Sequence, residues 1–111
     1  MTLVERSFTY RGRIKVSSSD LQLAKSARKT CTIRLGTLSV DGELLSLTDG
    51  RDSVRIRVTS VENDKVISDL TDEHAKREGF GTRQELLDDL KQYYPRLESA
   101  QRITIINFSL A

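Results

Sequence analysis

The amino-acid sequence predicts an α+β domain dominated by β-structure: a small barrel of mixed or antiparallel strands with helices at its periphery. Three observations lead there. Stretches of period-two alternation follow one another across short links, with no strand-helix-strand repeat of the kind a parallel sheet requires. Helical spacing is confined to one short stretch after Val16 and to two adjacent stretches between Thr71 and Pro95. The last stretch, Arg102 to Leu110, is apolar on both of its alternating faces, as expected of a central strand covered on both sides.

In chain order, Val4 to Tyr10 with Phe8, Thr9 and Tyr10 reads as a first strand running into a turn at Gly12. Ser17-Ser18-Ser19-Asp20 supplies capping side chains before Leu21, Leu23, Ala24 and Ala27, predicting a short helix that ends near Arg28. Thr30 to Leu35 alternates cleanly, with Cys31, Ile33 and Leu35 on one face and Thr30, Thr32 and Arg34 on the other, and Gly36 stops it. Leu44 to Leu47 and Ser53 to Val61 form a hairpin around Gly50, the second strand placing Val54, Ile56 and Val58 opposite Arg55, Arg57 and Thr59. After a short extended piece at Val66-Ile67 the period changes. Thr71 is the expected N-cap of one helix, Asp72 and Glu73 suit its first turn, and Gly79 its stop. Thr82 and Glu85 have capping-box spacing and open a second helix with the stripe Leu86, Leu87, Leu90 and Tyr94, ended by Pro95.

Residues 1–111 are read as one domain, a length that supports one core but not two. Charged residues make up 31% and hydrophobic residues 37%, the balance of a globular chain rather than a disordered one. The longest apolar runs, such as Ile103 to Ile106, fall far short of the roughly 18 residues of a membrane span, so no membrane partner is expected. Glu5 and Arg6 stand where an export signal would carry its apolar stretch, which makes the cytoplasm the expected location. The single Cys31 has no partner for an internal disulfide and no companion ligands at zinc spacing, so neither metal nor cofactor is expected. The net charge of +2 is small but unevenly spread: residues 1–34 hold eight Lys and Arg against two acids, and the remainder ten against fourteen. If the basic side chains of the first third converge, they form an anion-attracting patch; if they scatter, they are a solvated surface.

Two separated segments carry a family resemblance. Arg28-Lys29-Thr30-Cys31-Thr32-Ile33-Arg34 resembles the signature of ASCH proteins, in which a basic-Lys-Thr-x-Thr-x-Arg run enters an early barrel strand. Leu70 to Phe80 resembles the family's helix ending in Glu-Gly-Phe, and Gln84 to Leu90 with Tyr94 and Pro95 resembles its next helix. The resemblance spans roughly residues 20–110, and two motifs in the right order are more specific than either alone. It implies a PUA-like barrel with a cleft for a nucleoside or RNA ligand. Some small bacterial members hydrolyse the acetyl amide of N4-acetylcytidine with residues matching Lys29, Thr32 and Glu78, and others bind or cleave RNA. The resemblance therefore implies Lys29, Thr32 and Glu78 as catalytic residues, with Arg28 and Arg34 as substrate-binding cations. The leading expectation is an N4-acetylcytidine amidohydrolase without metal or cofactor; the alternative is a single-stranded RNA-binding module in which Lys29 and Arg34 contact phosphates. The oligomeric state is not legible in the sequence.

Residue chemistry bears on these roles separately. Alternation sends Thr32 and Arg34 to one strand face, whereas Lys29 sits at a helix-to-strand junction where parity does not fix its direction. Glu78 in the last turn of a helix opposes the macrodipole, which signals either a plain surface residue or an inward carboxylate needing a cation, with Lys29 the candidate. Thr32 either attacks the acyl carbon or positions a water. Glu78 is the preferred proton carrier, with Lys29 stabilising the oxyanion, and the reverse assignment stays open. His74 lacks partners for a metal site, Cys31 suits the core better than nucleophilic duty, and Tyr93 and Tyr94 suit the core or its rim. Tyr10 joins these two tyrosines as a candidate for stacking on a base.

Overall fold

A computed structural model describes residues 7–111 and gives the order β1 (Ser7–Lys15), α1 (Ser18–Lys25), β2 (Cys31–Leu35), β3 (Thr37–Thr48), β4 (Ser53–Val66), α2 (Asp72–Arg77), α3 (Arg83–Tyr93) and β5 (Arg102–Leu110). A single 3₁₀ turn, Ile67–Asp69, leads from β4 toward α2. The strands form one sheet ordered β1-β3-β4-β5-β2, in which β1 pairs β3 in parallel and every other pairing is antiparallel. The expected barrel is realised as a half-barrel, a curled five-stranded sheet with β1 and β2 at its two ends. No helix among the described residues is long and apolar enough to cross a membrane.

β5 lies between β4 and β2, as its two apolar faces predicted. It serves both halves of the core. Ile103 and Ile105 pack with Cys31, Ile33, Leu86 and Leu90 under α2 and α3, whereas Ile106 and Phe108 pack with Ile14, Leu21, Leu45 and Ile56 under α1. Thr104 is the polar exception, fully buried within this strand. Its Oγ1 accepts from Leu38 N at 2.9 Å and donates to Gly36 O at 2.8 Å, satisfying two backbone groups where β2 crosses into β3.

Helix limits follow their chemistry. Ser17 Oγ accepts from Asp20 N at 3.1 Å to cap α1, Thr71 caps α2, and Thr82 Oγ1 accepts from Glu85 N at 3.3 Å to cap α3. The return half of the box at α3 falls one residue early, on Gly81 N rather than Thr82 N. α2 closes on Gly79 at φ +90°, with Gly79 N bonding Lys76 O and Phe80 N bonding Ala75 O, a Schellman end.

Three strands differ from the sequence expectation. The expected first strand began at Val4, of which residues 4–6 lie outside the described residues, and instead of turning at Gly12 it continues to Lys15. Gly12 takes φ +74° inside a bulge, where pairing with β3 jumps from Arg11 opposite Asp41 to Arg13 opposite Ser46. The hairpin around Gly50 is present, but β3 begins earlier, at Thr37, and β4 extends to Val66. The polar Asp41-Gly42-Glu43 interruption hid the early half of β3 from a period-two pattern.

Candidate functional site

The site is built where the end of α1, the start of β2 and the end of α2 meet. After Lys25 the chain reverses: Ala27 takes φ +61°, and the N–H groups of Arg28 and Lys29 both donate to Leu23 O, at 2.9 and 3.1 Å. That turn leaves Arg28 exposed outside the cleft and sends Lys29 inward, to 2% exposure. Thr30 N then donates to Arg77 O at 2.7 Å and Thr30 O accepts from Phe108 N at 2.9 Å, tying the entry of β2 to α2 on one side and β5 on the other. Gly79 fixes the opposite wall. A Cβ there would lie 3.2 Å from Leu23 Cδ1, so the glycine lets the end of α2 press against α1 and carries Glu78 over Lys29.

The Lys29 ammonium contacts Glu78 Oε2, while Glu78 Oε1 accepts from Ile33 N at 2.8 Å. Both carboxylate oxygens are therefore engaged, with Glu78 at 6% exposure. Burial pushes the Glu78 carboxyl up from its ordinary range, and the Lys29 ammonium opposes that rise. Asp20 Oδ1 lies 3.9 Å from the same ammonium. Thr32, almost as buried, stands on the cleft face of β2 beside Arg34, as alternation predicted. Arg34 Nε donates to Thr32 Oγ1 at 3.3 Å, an Nη donates to Lys15 O at 2.6 Å, and its guanidinium carbon lies 6.0 Å from the Tyr10 ring centre.

These side chains line a cleft of about 310 Å³ whose far wall is α3. The structure thus brings Lys29, Thr32, Glu78 and Arg34 together and leaves Arg28 out. Tyr93 and Tyr94 form the rim, Tyr93 being 59% exposed. The cleft shares Lys15, Arg34 and Tyr94 with a neighbouring hollow of about 460 Å³, walled by Phe8, Tyr10, Leu35 and Leu38 between the two ends of the sheet. Phe8 and Tyr10 meet edge to face there, with ring centres 4.9 Å apart.

Two cleft acids, Asp20 and Asp89, escaped the sequence reading. Asp89 had a legible signal: it falls at helical spacing among Leu86, Leu90 and Tyr93, a lone carboxylate on an otherwise apolar stripe. Asp20 had none, being one more polar residue in a capping run.

The other candidates take structural places. His74 Nδ1 accepts from Thr71 N at 3.0 Å, closing the cap of α2, and burial lowers its pKa. Cys31 is fully buried in the core, and burial pushes its thiol far up. Among the described residues the basic side chains of the first third form no single patch: Lys15, Lys29 and Arg34 line the cleft, whereas Arg28 lies outside it. Lys29 is committed to Glu78, Lys25 pairs with Asp52, Arg11 pairs with Asp41, and Arg6 lies outside the described residues.

The fold resembles solved structures. The chain superposes on an ASCH domain from Lactobacillus crispatus with a TM-score of 0.73 and 16% identity, over 96% of this chain and 80% of that one. It also matches a protein of the DUF984 family from Enterococcus faecalis at TM-score 0.63 and 20% identity, over 100% of this chain and 78% of the other. A hypothetical protein, covered along its whole length by 96% of this chain, follows at TM-score 0.62 and 13% identity. Neither a family model nor a curated protein matches the sequence. At these identities the likeness is one of fold: the chain has the ASCH-like, PUA-like architecture that its two motifs led one to expect.

Proposed function

We propose that this chain, with its ASCH-like fold, hydrolyses the acyl amide of an N4-acylated cytidine, N4-acetylcytidine being the simplest case, in the cytoplasm and without a metal or cofactor. The observation that carries the reading is a buried lysine–glutamate pair placed beside a buried threonine at the floor of a cleft. Desolvation strengthens the field of the Lys29 ammonium, and an amide oxygen turned toward it gains most as negative charge develops on it during attack. Glu78 keeps that ammonium aimed. Thr32, whose Oγ1 accepts a hydrogen bond from Arg34 Nε, presents its own hydroxyl hydrogen to the attacking water or to the acyl group. No carboxylate hydrogen-bonds Thr32 among the described residues, so water is preferred over the threonine as nucleophile.

Incubation of the folded chain with N4-acetylcytidine should release cytidine, followed by chromatography. Thr32→Ala should lower kcat by about 10²-fold or more, the loss typical of one positioned polar group, while Thr32→Ser keeps most of the rate. Absence of turnover by folded wild type removes this reading.

One observation favours a second reading, RNA binding, and it lies away from the cleft. On the outer face of the sheet, Arg13, Ser46 and Arg55 form one row across β1, β3 and β4, and Thr48 and Ser53 form the next across β3 and β4. Arg13 and Arg55 make no ion pair among the described residues. Phosphates of a single strand would meet these rows rather than Lys29, whose charge is already used. If so, Arg13→Glu with Arg55→Glu should flatten the salt dependence of binding to a single-stranded oligoribonucleotide by about 1 to 2 units of slope. Failure of the wild type to bind at low salt retires the idea.

A further inference from the structure

Amide hydrolysis needs a group that takes a proton from the nucleophile and hands one to the departing nitrogen. Three carboxylates reach the cleft. Glu78 has both oxygens occupied, one by Lys29 and one by Ile33 N, so passing a proton through it breaks the contacts that hold the ammonium. Asp20 lies 3.9 Å from the same ammonium and screens it. Asp89 differs from both: it stands half-buried on α3, lines the cleft with Thr32 and Lys29, and makes no hydrogen bond or ion pair among the described residues. We propose that Asp89 is the catalytic base of this cleft, which takes the proton of the attacking water and returns it to N4 of the leaving cytosine. The inference rests on the amide-hydrolysis reading and changes the expected role of Glu78 from proton carrier to positioning residue for Lys29.

The steps balance. The water oxygen bonds to the acyl carbon as one of its protons passes to the Asp89 carboxylate, and the carbonyl π pair moves onto the oxygen facing Lys29. Collapse re-forms the carbonyl and breaks the bond to N4, which takes the proton held by Asp89. Cytidine and the carboxylic acid leave, the acid ionising in water.

The surroundings of Asp89 suit a group that must both accept and donate. Burial raises its pKa above the ordinary aspartate value and Asp20 on α1 adds to the rise, while Lys29 opposes it. Lys15 and Arg34 from β1 and β2, Glu78 from the end of α2, and the phenols of Tyr93 and Tyr94 complete the ionisable groups facing the cleft. Activity should therefore rise with pH along an acid limb as Asp89 loses its proton.

The test compares wild type, Asp89→Asn and Asp89→Glu on N4-acetylcytidine across pH. Asp89→Asn should lower kcat by about 10²- to 10⁴-fold with KM nearly unchanged, and its acid limb should vanish. Asp89→Glu should restore part of the rate and keep the limb. If Asp89→Asn retains the wild-type kcat and acid limb, the proton carrier lies elsewhere, Glu78 first, and the hydrolytic reading survives without Asp89. A rise in KM alone would make Asp89 a binding group and overturn the assignment equally. Wild type without turnover overturns the hydrolytic reading and Asp89 with it.

Discussion

Lys29→Ala should destabilise the fold by about 3 to 5 kcal/mol and abolish turnover, because it strands the Glu78 carboxylate in the protein interior. The cost is not that of one lost attraction. Glu78 remains held by Ile33 N in a site that water scarcely reaches, and its counter-charge is gone. Against a total stability of about 5 to 15 kcal/mol for a domain of this kind, such a loss is large, and it should appear as a fall in urea midpoint with unchanged m. An exposed pair provides the contrast: Lys25→Ala, which removes the partner of Asp52, should leave the midpoint nearly unchanged. The pH dependence has a definite sign. Burial already raises the folded-state pKa of Glu78, and removing Lys29 takes away the charge that opposed the rise. A group raised on folding stabilises the fold below its unfolded pKa and loses that contribution as pH climbs through its folded one. The Lys29→Ala deficit should therefore be greatest at neutral pH and shrink as pH falls toward about 4.5, below which Glu78 enters the interior as a neutral acid. A deficit independent of pH would mean that Glu78 is not the group left stranded.

What the sequence disclosed about this site depended on how local each determinant is. Thr32 and Arg34 share a face because a strand alternates, and the helix limits at Thr71, Gly79 and Thr82 follow from caps a few residues long. Glu78 was legible as an anomaly, an acid where a helix prefers a base, and the anomaly is resolved by an ammonium that arrives from 49 residues earlier in the chain. Lys29 itself was not legible by pattern. Its direction is set by the left-handed turn at Ala27, a residue that gives no hint of such a conformation, and the same turn faces the neighbouring Arg28 outward. The parallel pairing of β1 with β3 was equally hidden, since it joins segments that a helix and a strand separate. Uneven charge in the first third suggested a patch, yet an outer basic surface draws Arg13 from β1 and Arg55 from β4, a grouping that only the sheet register reveals.

The double variant Lys29→Met/Glu78→Leu separates what the buried pair does for stability from what it does for chemistry. Two apolar side chains of similar length fill the space without a desolvated charge, and such exchanges of buried pairs are often neutral or stabilising by about 1 to 4 kcal/mol. One cost remains here: Ile33 N loses its acceptor, a penalty of about 1 to 3 kcal/mol for a buried donor. The double variant should accordingly unfold near the wild-type midpoint and well above Lys29→Met, giving a coupling of more than about 1 kcal/mol in a cycle completed with Lys29→Met and Glu78→Leu. Its turnover of N4-acetylcytidine should nevertheless be absent, since neither the ammonium that faces the developing oxyanion nor the carboxylate that aims it survives. A double variant as unstable as the two single losses added together would show that the residues do not act on one another in the fold. Retention of activity would remove Lys29 from the chemistry altogether. The expected split, a recovered fold without recovered turnover, identifies a charge pair whose stability cost is tolerated because the cleft needs a desolvated ammonium at its floor.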